Sequence, residues 1–350
     1  MKIAAYTIAL NEEQFVERWY NSVKDADYLL IADTGSTDGT IEKAKSLGIN
    51  VVSISINPWR FDDARNASLA LLPPDIDYCI QVDMDEIMVA GWREQLEKIN
   101  LKSTRPRYKY VWNFDENGKP GITFWGSKFH ARQGYRWVHP VHEVVSAYGI
   151  EEVEEYIEMT MEHHADVTKS RSQYLPLLAL SVQENPTNDR NSFYYGRELM
   201  FYGHFEASTA ELKRYLTLGS WKPERAAAMR FIARMEKEFL IKEDWLKKAI
   251  LEAPDRREAY AEIVKLYYFE QKWQECYENC VLALSITNKP LEYLSEDFAW
   301  NHEIYDYAAI SAWNIGNKDC VFYAQKALEL NPTDERLKNN LKLCLNAFPA

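Results

Sequence analysis

The chain has 350 residues, of which 47% are apolar and 27% charged, and it carries a formal net charge of −12. That length suits about two domains, and the apolar share is enough for real cores. The acidic balance shows no basic stripe, which argues against a strong non-specific binder of duplex phosphates but leaves open a base-modifying enzyme with a local basic groove.

No run approaches the roughly 18 apolar residues of a membrane span. Met1 to Tyr6 is too short an apolar run, and too soon followed by Glu12 and Glu13, to read as a signal peptide. The cysteines, Cys79, Cys276, Cys280, Cys320 and Cys344, are odd in number and clustered late, which predicts reduced thiols in a cytoplasmic protein. Cys276 and Cys280 lie four apart on a predicted helix with no further metal ligands nearby, so they read as core packing.

Residues 2–10 read as a strand and 12–24 as a helix. A second strand over 28–33 ends at the turn signal Thr34-Gly35-Ser36-Thr37-Asp38-Gly39. A helix over 40–47 stops at Gly48. A strand over 50–56 follows, then a helix over 64–72 ended by Pro73-Pro74, then a strand over 78–83. This alternation predicts an α/β domain: a Rossmann-like sheet, mostly parallel, with helices on both faces. Ligands then bind beyond the carboxyl ends of the strands, where Asp33 and Asp83 sit. From 107 to 161 the pattern turns to aromatic-rich strands at 108–112, 123–125 and 135–138, punctuated by Gly118, Gly121, Gly126 and Gly134. They read as the antiparallel completion of the same domain.

After 166 the chain reads as helical to its end. Segments 192–218, 257–286 and 305–330 each read as a helix pair with a short turn. Small residues such as Ala259, Ala261, Ala324 and Ala327 let helices approach, and Tyr195, Tyr202, Trp273 and Trp313 fill the spaces between. The closing Ala327-Leu328-Glu329-Leu330-Asn331-Pro332 resembles the end of a tetratricopeptide repeat. The expected division is an α/β domain over 1–165 and an all-α tetratricopeptide-like repeat domain over 166–350.

Asp83-Met84-Asp85 directly follows an apolar strand. Alternation places both carboxylates on one side of an extended segment, where they repel unless a cation intervenes. Hard oxygen ligands suit magnesium or manganese. The bland reading is a solvated acidic turn capping a helix from Glu86. Asp33 reads either as turn chemistry or as an acceptor for a nucleobase N–H, whereas Asp38 reads as turn and cap chemistry. Arg65-Asn66 opens the predicted third helix, where a cation opposes the helix dipole. It calls either for a bound anion or for a surface pair with Asp62 or Asp63. Glu143, in His139-Pro140-Val141-His142-Glu143, is a candidate general base. His163-His164 ends a strand over 155–162, and either imidazole can complete a metal shell. Lys128, Arg132 and Arg171 add positive charge suited to a diphosphate.

Several of these elements occur in one order: Ile8-Ala9-Leu10-Asn11-Glu12-Glu13, Asp33-Thr34-Gly35-Ser36-Thr37-Asp38-Gly39-Thr40, Arg65-Asn66 and Asp83-Met84-Asp85. In this the first 165 residues or so resemble family 2 glycosyltransferases of the GT-A fold. The helical tail resembles that of bacterial and phage members with tetratricopeptide-like C-termini. Trp125-Gly126-Ser127-Lys128, Val141-His142-Glu143 and His163-His164 with Ser170-Arg171 look like that subgroup's pattern.

The resemblance implies roles. Ala9, Asn11 and Glu13 would line a nucleotide pocket and Asp33 would contact the base. Arg65 would lie near the nucleotide, and Asp83 would face the ribose or sugar. Asp85 would bind Mn2+ or Mg2+, with His163 or His164 as a further ligand. Glu143 would be the base of an inverting displacement, with Lys128 or Arg171 offsetting charge on the leaving diphosphate. UDP is the family's common nucleotide. The acceptor stays open among a protein, a glycan and a modified nucleobase, and the repeats would bind the acceptor or a second copy of the chain. A nucleotidyltransferase is a rival reading, but residues 7–13 contain neither the glycine nor the basic residue of a triphosphate loop. A non-catalytic repeat scaffold binding a protein partner is the other.

Overall fold

The computed structural model describes every residue except Leu101, Glu116, Asn117, Val167, Ser170 and Ala350. Ser170, named in the Ser170-Arg171 pattern, therefore lies outside the described residues. The chain forms two compact units, Met1–Pro186 and Thr187–Ala350. The division falls after the change of sequence character at 165, because one more helix goes with the first unit.

The first unit runs β1 (Ile3–Ala9), α1 (Glu13–Val23), β2 (Tyr28–Asp33), α2 (Thr40–Ser46), β3 (Asn50–Ser53), α3 (Phe61–Ala70), β4 (Tyr78–Gln81), β5 (Glu86–Met88) and α4 (Trp92–Leu96). It continues with β6 (Arg105–Val111), β7 (Thr123–Gly126), β8 (Phe129–Ala131), β9 (Tyr135–Val138), β10 (Val144–Ala147), β11 (Glu154–His163) and α5 (Tyr174–Glu184). One sheet has the order β3-β2-β1-β4-β8. Its β1–β2, β2–β3 and β1–β4 pairs are parallel and β4–β8 is antiparallel. A second sheet has the order β5-β11-β6-β7, with β11–β6 parallel and the outer pairs antiparallel. β9 and β10 pair as an antiparallel ribbon.

The central strand shows why this sequence makes a two-faced sheet. Successive side chains of a strand point to opposite faces. Ile3 and Ala5 pack in one core with Val16 and Trp19 of α1 and Ala44 of α2. Ala4 and Tyr6 pack in another with Leu69 of α3 and Tyr135, Trp137 and Val145 of the ribbon. Both faces are thus covered, and helices lie on each. Trp19 also donates through Nε1 to the Val82 carbonyl at 2.9 Å, which fastens α1 to the end of β4.

Three local expectations are corrected. α3 begins at Phe61, so Arg65 lies in its second turn rather than at its start. Asp83-Met84-Asp85 forms a turn, not an extended run, and a strand rather than a helix follows at Glu86. The later strands do not complete the domain in a purely antiparallel way, since β11 and β6 run parallel. Pro106 sits near the start of β6, where its missing N–H does least harm.

The second unit is helical: α6 (Asp189–Phe201), α7 (Phe205–Leu218), α8 (Lys222–Met235), α9 (Phe239–Glu252), α10 (Arg257–Phe269), α11 (Trp273–Ser285), α12 (Glu303–Asn314), α13 (Cys320–Leu330) and α14 (Glu335–Ala347). α6 packs on α7, α8 on α9, α10 on α11 and α12 on α13, and the first helices of successive pairs also touch. Gly196 permits one such close approach: a Cβ there would sit 2.8 Å from the Leu212 side chain. The α8–α9 pair escapes a sequence reading because α8 buries Ala226, Ala227 and Ala228 in succession, so it carries no one-sided apolar stripe. Cys276 and Cys280 lie in an apolar cluster with Val264 and Tyr267, as core packing requires. Among the described residues no helix is long and apolar enough to cross a membrane.

Candidate active site

β1, β2 and β4 run parallel, so their carboxyl ends share one edge of the sheet. The neighbours of β1 are reached in opposite directions, which makes the crevice beyond β1 and β4 the natural ligand site.

The loops after β1 and β2 interlock at this edge. Asn11 adopts a left-handed backbone, φ 56°, which Asn tolerates better than most residues. Its amide donates to Ser36 Oγ at 2.9 Å, and its side-chain oxygen accepts from the Thr37 amide at 2.8 Å. Glu13 donates through its amide to Asp38 and accepts from the Gly39 amide at 3.1 Å. The Ala9 carbonyl accepts from both the amide and the hydroxyl of Thr34. Asp33 is buried, and its carboxylate accepts from the amides of Gly35 at 3.0 Å and Ser36 at 3.1 Å. Turn chemistry therefore engages Asp33 as well as Asp38. These residues come together, and the bonds above join them to one another.

Beyond β4 lies a buried charge network. Arg65 donates to Asp83 at 2.9 Å and to Glu143, and its guanidinium lies 5.0 Å from the Trp137 ring centre. Burial works against its charge, but Asp83 and Glu143 hold its pKa above the ordinary value. Neither surface pairing expected for it forms: Asp62 and Asp63 pair with Arg60 instead. Lys128 Nζ lies 2.7 Å from Asp83 and 2.6 Å from Glu86. Burial lowers its pKa, yet the two carboxylates raise it more. Asp83 is pushed up by burial and pulled down further by Arg65 and Lys128, ending below the usual range.

Glu86 was not marked by the sequence, where it reads as the first residue of a helix. It is 1% exposed, accepts from Tyr110 Oη at 2.5 Å and from the Asp83 amide at 2.7 Å, and burial raises its pKa. Glu12, likewise buried, pairs with Lys169. Arg132 goes elsewhere: it donates to the Leu72 and Pro73 carbonyls just past α3. Arg171 is exposed, and its carbonyl accepts the Tyr174 amide at 2.9 Å. The Tyr174 ring meets the His142 ring at 5.5 Å.

Asp85 follows in the same turn and feels the charges of Asp83 and Lys128. Among the described residues its carboxylate has His163 as its partner, Oδ2 to Nε2 3.5 Å. Burial raises the Asp85 pKa, and the bond to His163 lowers it to a net value below normal. His163 Nδ1 meets the Trp112 carbonyl at 2.9 Å, and the ring stacks on Trp112 at 4.5 Å. Burial lowers the His163 pKa, while the Asp85 bond brings it to a net rise. Neighbouring residues of a strand face opposite ways, so His164 turns from Asp85 to Glu162 at 3.2 Å and stacks on Phe114.

The Asp85–His163 pair fits a divalent ion in its donor chemistry. The Trp112 carbonyl holds a proton on Nδ1, the usual outer support of a metal-binding imidazole, so that Nε2 would be free for a cation once it gives up the proton it shares with Asp85. Among the described residues no group of three or more His, Cys, Asp or Glu side chains is placed to hold a metal. A cation shared with substrate phosphates can take as few as one or two carboxylates from the protein, with phosphate and water filling the rest of its shell.

Glu143 is positioned by the helix beneath it. Asn66 clamps the backbone of Trp137 through paired bonds of 2.9 Å, and the Phe61 amide donates to the Pro140 carbonyl at 3.0 Å. The loop between β9 and β10 is thereby held against α3. Within it His139 and His142 have φ of 79° and 49°, conformations that cost energy in a non-glycine residue. Glu143 Oε1 meets Arg65, and among the described residues Oε2 has no hydrogen-bond partner.

A glycosyltransferase from Rickettsia bellii, otherwise uncharacterised, is 34% identical to this chain over 108 residues, covering 31% of this chain and 35% of the relative. The lipopolysaccharide core biosynthesis glycosyltransferase LpsC of Rhizobium meliloti is 29% identical over 102 residues, 28% of this chain and 37% of its own. Over its N-terminal part, the chain is similar to these curated glycosyltransferases. It spans about a third of the length of these curated relatives. No family model matches the chain. Among solved structures, Pseudomonas aeruginosa pilF has a TM-score of 0.38 at 15% identity, covering 47% of this chain and 70% of its own. A glucosyl-3-phosphoglycerate synthase from Mycobacterium tuberculosis, in complex with Mn2+, UDP and phosphoglyceric acid, has a TM-score of 0.35 at 18% identity, covering 48% and 72%.

Proposed function

We propose that the first unit is a metal-dependent, inverting glycosyltransferase of the GT-A type that moves a sugar from a nucleotide donor, UDP-linked foremost, to an acceptor hydroxyl. The observation that carries the reading is the Asp85–His163 pair, 3.5 Å apart beyond the end of β4, beside a carboxylate network already balanced by Arg65 and Lys128. The ordered motifs of the first 165 residues and the glycosyltransferase-named relatives support it. Of the acceptor classes, a glycan is the one that a relative's name favours.

Asp85 and His163 would hold Mn2+ or Mg2+, which when bound supplies Lewis-acid stabilisation of a departing diphosphate. The protein's own residues do the rest. Glu143 accepts the proton of the acceptor hydroxyl through Oε2, since Oε1 is held by Arg65. Arg65 orients that carboxylate. Its bond to Asp83 ties the base to the donor side of the site, where Asp83 faces the ribose or sugar. Lys128 and Arg171 set positive charge toward the leaving group. Asn11, Glu13 and Asp33 shape the nucleotide pocket through the interlocked loops rather than by free side chains.

Thermal unfolding with a panel of sugar nucleotides, with and without Mn2+, tests the assignment. A donor that binds the folded state at about 100 times its Kd adds about 2.7 kcal/mol of stability. A metal-dependent rise with one nucleotide class supports the reading. No rise with any sugar nucleotide would favour a non-catalytic scaffold.

A further inference from the structure

The first unit carries a concave pocket beside the charge network of the candidate site. It has a volume of about 350 Å³ and lies between the first half of β6, Ser127 just after β7, and β10. That is the size of a small-ligand site at its lower end. Strand alternation explains why its wall is polar. Tyr108 and Tyr110 of β6 pack into the core beneath the sheet, so Arg105 and Arg107 belong to the opposite face.

The pocket is rich in hydrogen-bonding groups that the fold does not use. Arg105 is 5% exposed and donates through Nη1 to Glu152 at 2.8 Å, yet its Nε–H has no hydrogen-bond partner among the described residues. Arg107 Nε lies 3.0 Å from Glu154 without the alignment of a hydrogen bond. Among the described residues neither the Ser127 nor the Ser146 hydroxyl is bonded. β10 pairs with β9 alone, so alternate backbone N–H and C=O groups along it have no ladder partner. A buried guanidinium with a spare N–H is uncommon in a finished core, and paired guanidinium forks match a phosphate or a carboxylate. Glu152 and Glu154 offset part of the charge, but about a third of each side chain is exposed, at 32%, so water screens them more than it screens Arg105.

Two chain neighbours tie the pocket to the candidate site. Ser127 precedes Lys128, which bonds Asp83, and Val144 follows Glu143. Consecutive Cα atoms are about 3.8 Å apart, so the pocket borders Lys128 at one point of its wall and Glu143 at another.

We propose that this pocket holds an anionic group, a phosphate or a carboxylate, carried by the acceptor sugar, and thereby selects a charged glycan as acceptor. The unpaired backbone groups of β10 suit the hydroxyls of the same sugar. The acceptor role rests on the glycosyltransferase reading, whereas the anion site does not.

The test uses the full chain in chelator, where no metal-held phosphate can form. Saturation-transfer difference NMR reads three probes: glucose 6-phosphate, glucuronate and glucose. Wild type is expected to bind at least one of the two anionic sugars and not glucose, and the one it binds assigns the group. Arg105→Gln with Arg107→Gln should weaken that binding at least about tenfold. Arg105 also holds Glu152, so Arg107→Gln and Ser146→Asp, at partly exposed positions, read the pocket even where the double variant fails to fold. The same two single variants should bind UDP with Mn2+ as wild type does. Wild type that binds neither anionic sugar, or binds glucose equally well, would overturn the proposal. So would binding that survives both Arg107→Gln and Ser146→Asp. Wild type that binds an anionic sugar at this pocket but no UDP with Mn2+ would contradict the glycosyltransferase reading and the acceptor role together, and leave the anion site standing.

Discussion

Arg65 bonds Asp83 at 2.9 Å through Nη2 and Glu143 through Nε, so one buried guanidinium joins the acidic turn after β4 to the loop after β9. Arg65→Met would leave both carboxylates facing an apolar side chain. Removing one partner of a buried ion pair costs about 3–5 kcal/mol. We expect a stability loss of that order in urea denaturation, together with loss of donor binding. A loss below about 1 kcal/mol would show that water relieves the two acids.

Glu143→Gln keeps the shape of the side chain and removes the proton acceptor. Its expected signature is a fall in kcat of about 100- to 10,000-fold, with nucleotide affinity nearly unchanged. A variant that keeps kcat but binds donor poorly would place the base elsewhere.

Gly126 pairs with Tyr108 across β6 and β7, and a Cβ on it would lie 2.5 Å from the tyrosine ring. Tyr108 is fully buried and cannot swing aside. Gly126→Ala should cost about 1–3 kcal/mol by overpacking. Because Tyr108 Oη also meets the Lys128 amide at 3.4 Å, the same change should weaken donor binding. Unchanged thermal stability would contradict this. The role of glycine in Trp125-Gly126-Ser127-Lys128 is thus to admit the ring that backs Lys128.

His130 gives a pH dependence with a definite sign. It is wholly buried, with Nδ1 on the Ala131 carbonyl and Nε2 on Tyr6 Oη, which in turn accepts from Trp137. Burial drives its pKa down from 6.5 to about 3. The unfolded chain takes up a proton below 6.5, while the folded chain does not until about 3. Stability from this group is therefore full above 6.5 and is lost as pH falls toward 3, at up to about 1.4 kcal/mol per pH unit. Urea denaturation of wild type and His130→Gln between pH 7 and 4 should show a steeper fall for wild type. Parallel curves would count against a buried neutral His130.

Much of the first unit was legible because its strands repeat every second residue and its helices are closed by Gly48 and Pro73-Pro74. The order of β1, α1, β2, α2, β3 and β4 follows from that. Short elements were not: β5, β8 and α4 are too brief to show a period, and β10 directly follows the strained loop that carries Glu143. The candidate site was legible as residue types but not as pairings. Arg65 met two partners 18 and 78 residues away, separations that the text of a sequence does not display. Glu86 was missed because a buried acid is recognised by what surrounds it, here Lys128 and Tyr110. Strand alternation separates the roles of His163 and His164, but only once β11 is known to reach His163.

The central claim is that Asp85 and His163 hold the divalent ion through which a nucleoside diphosphate binds. Isothermal titration of UDP into wild type and Asp85→Asn, with Mn2+ and with chelator, tests it most directly. The account predicts binding by wild type that requires Mn2+ and is weakened at least about 100-fold in Asp85→Asn, the order seen for loss of a charge-assisted contact. Equal UDP affinity in Mn2+ and in chelator, or an Asp85→Asn variant that binds as wild type does, would contradict it.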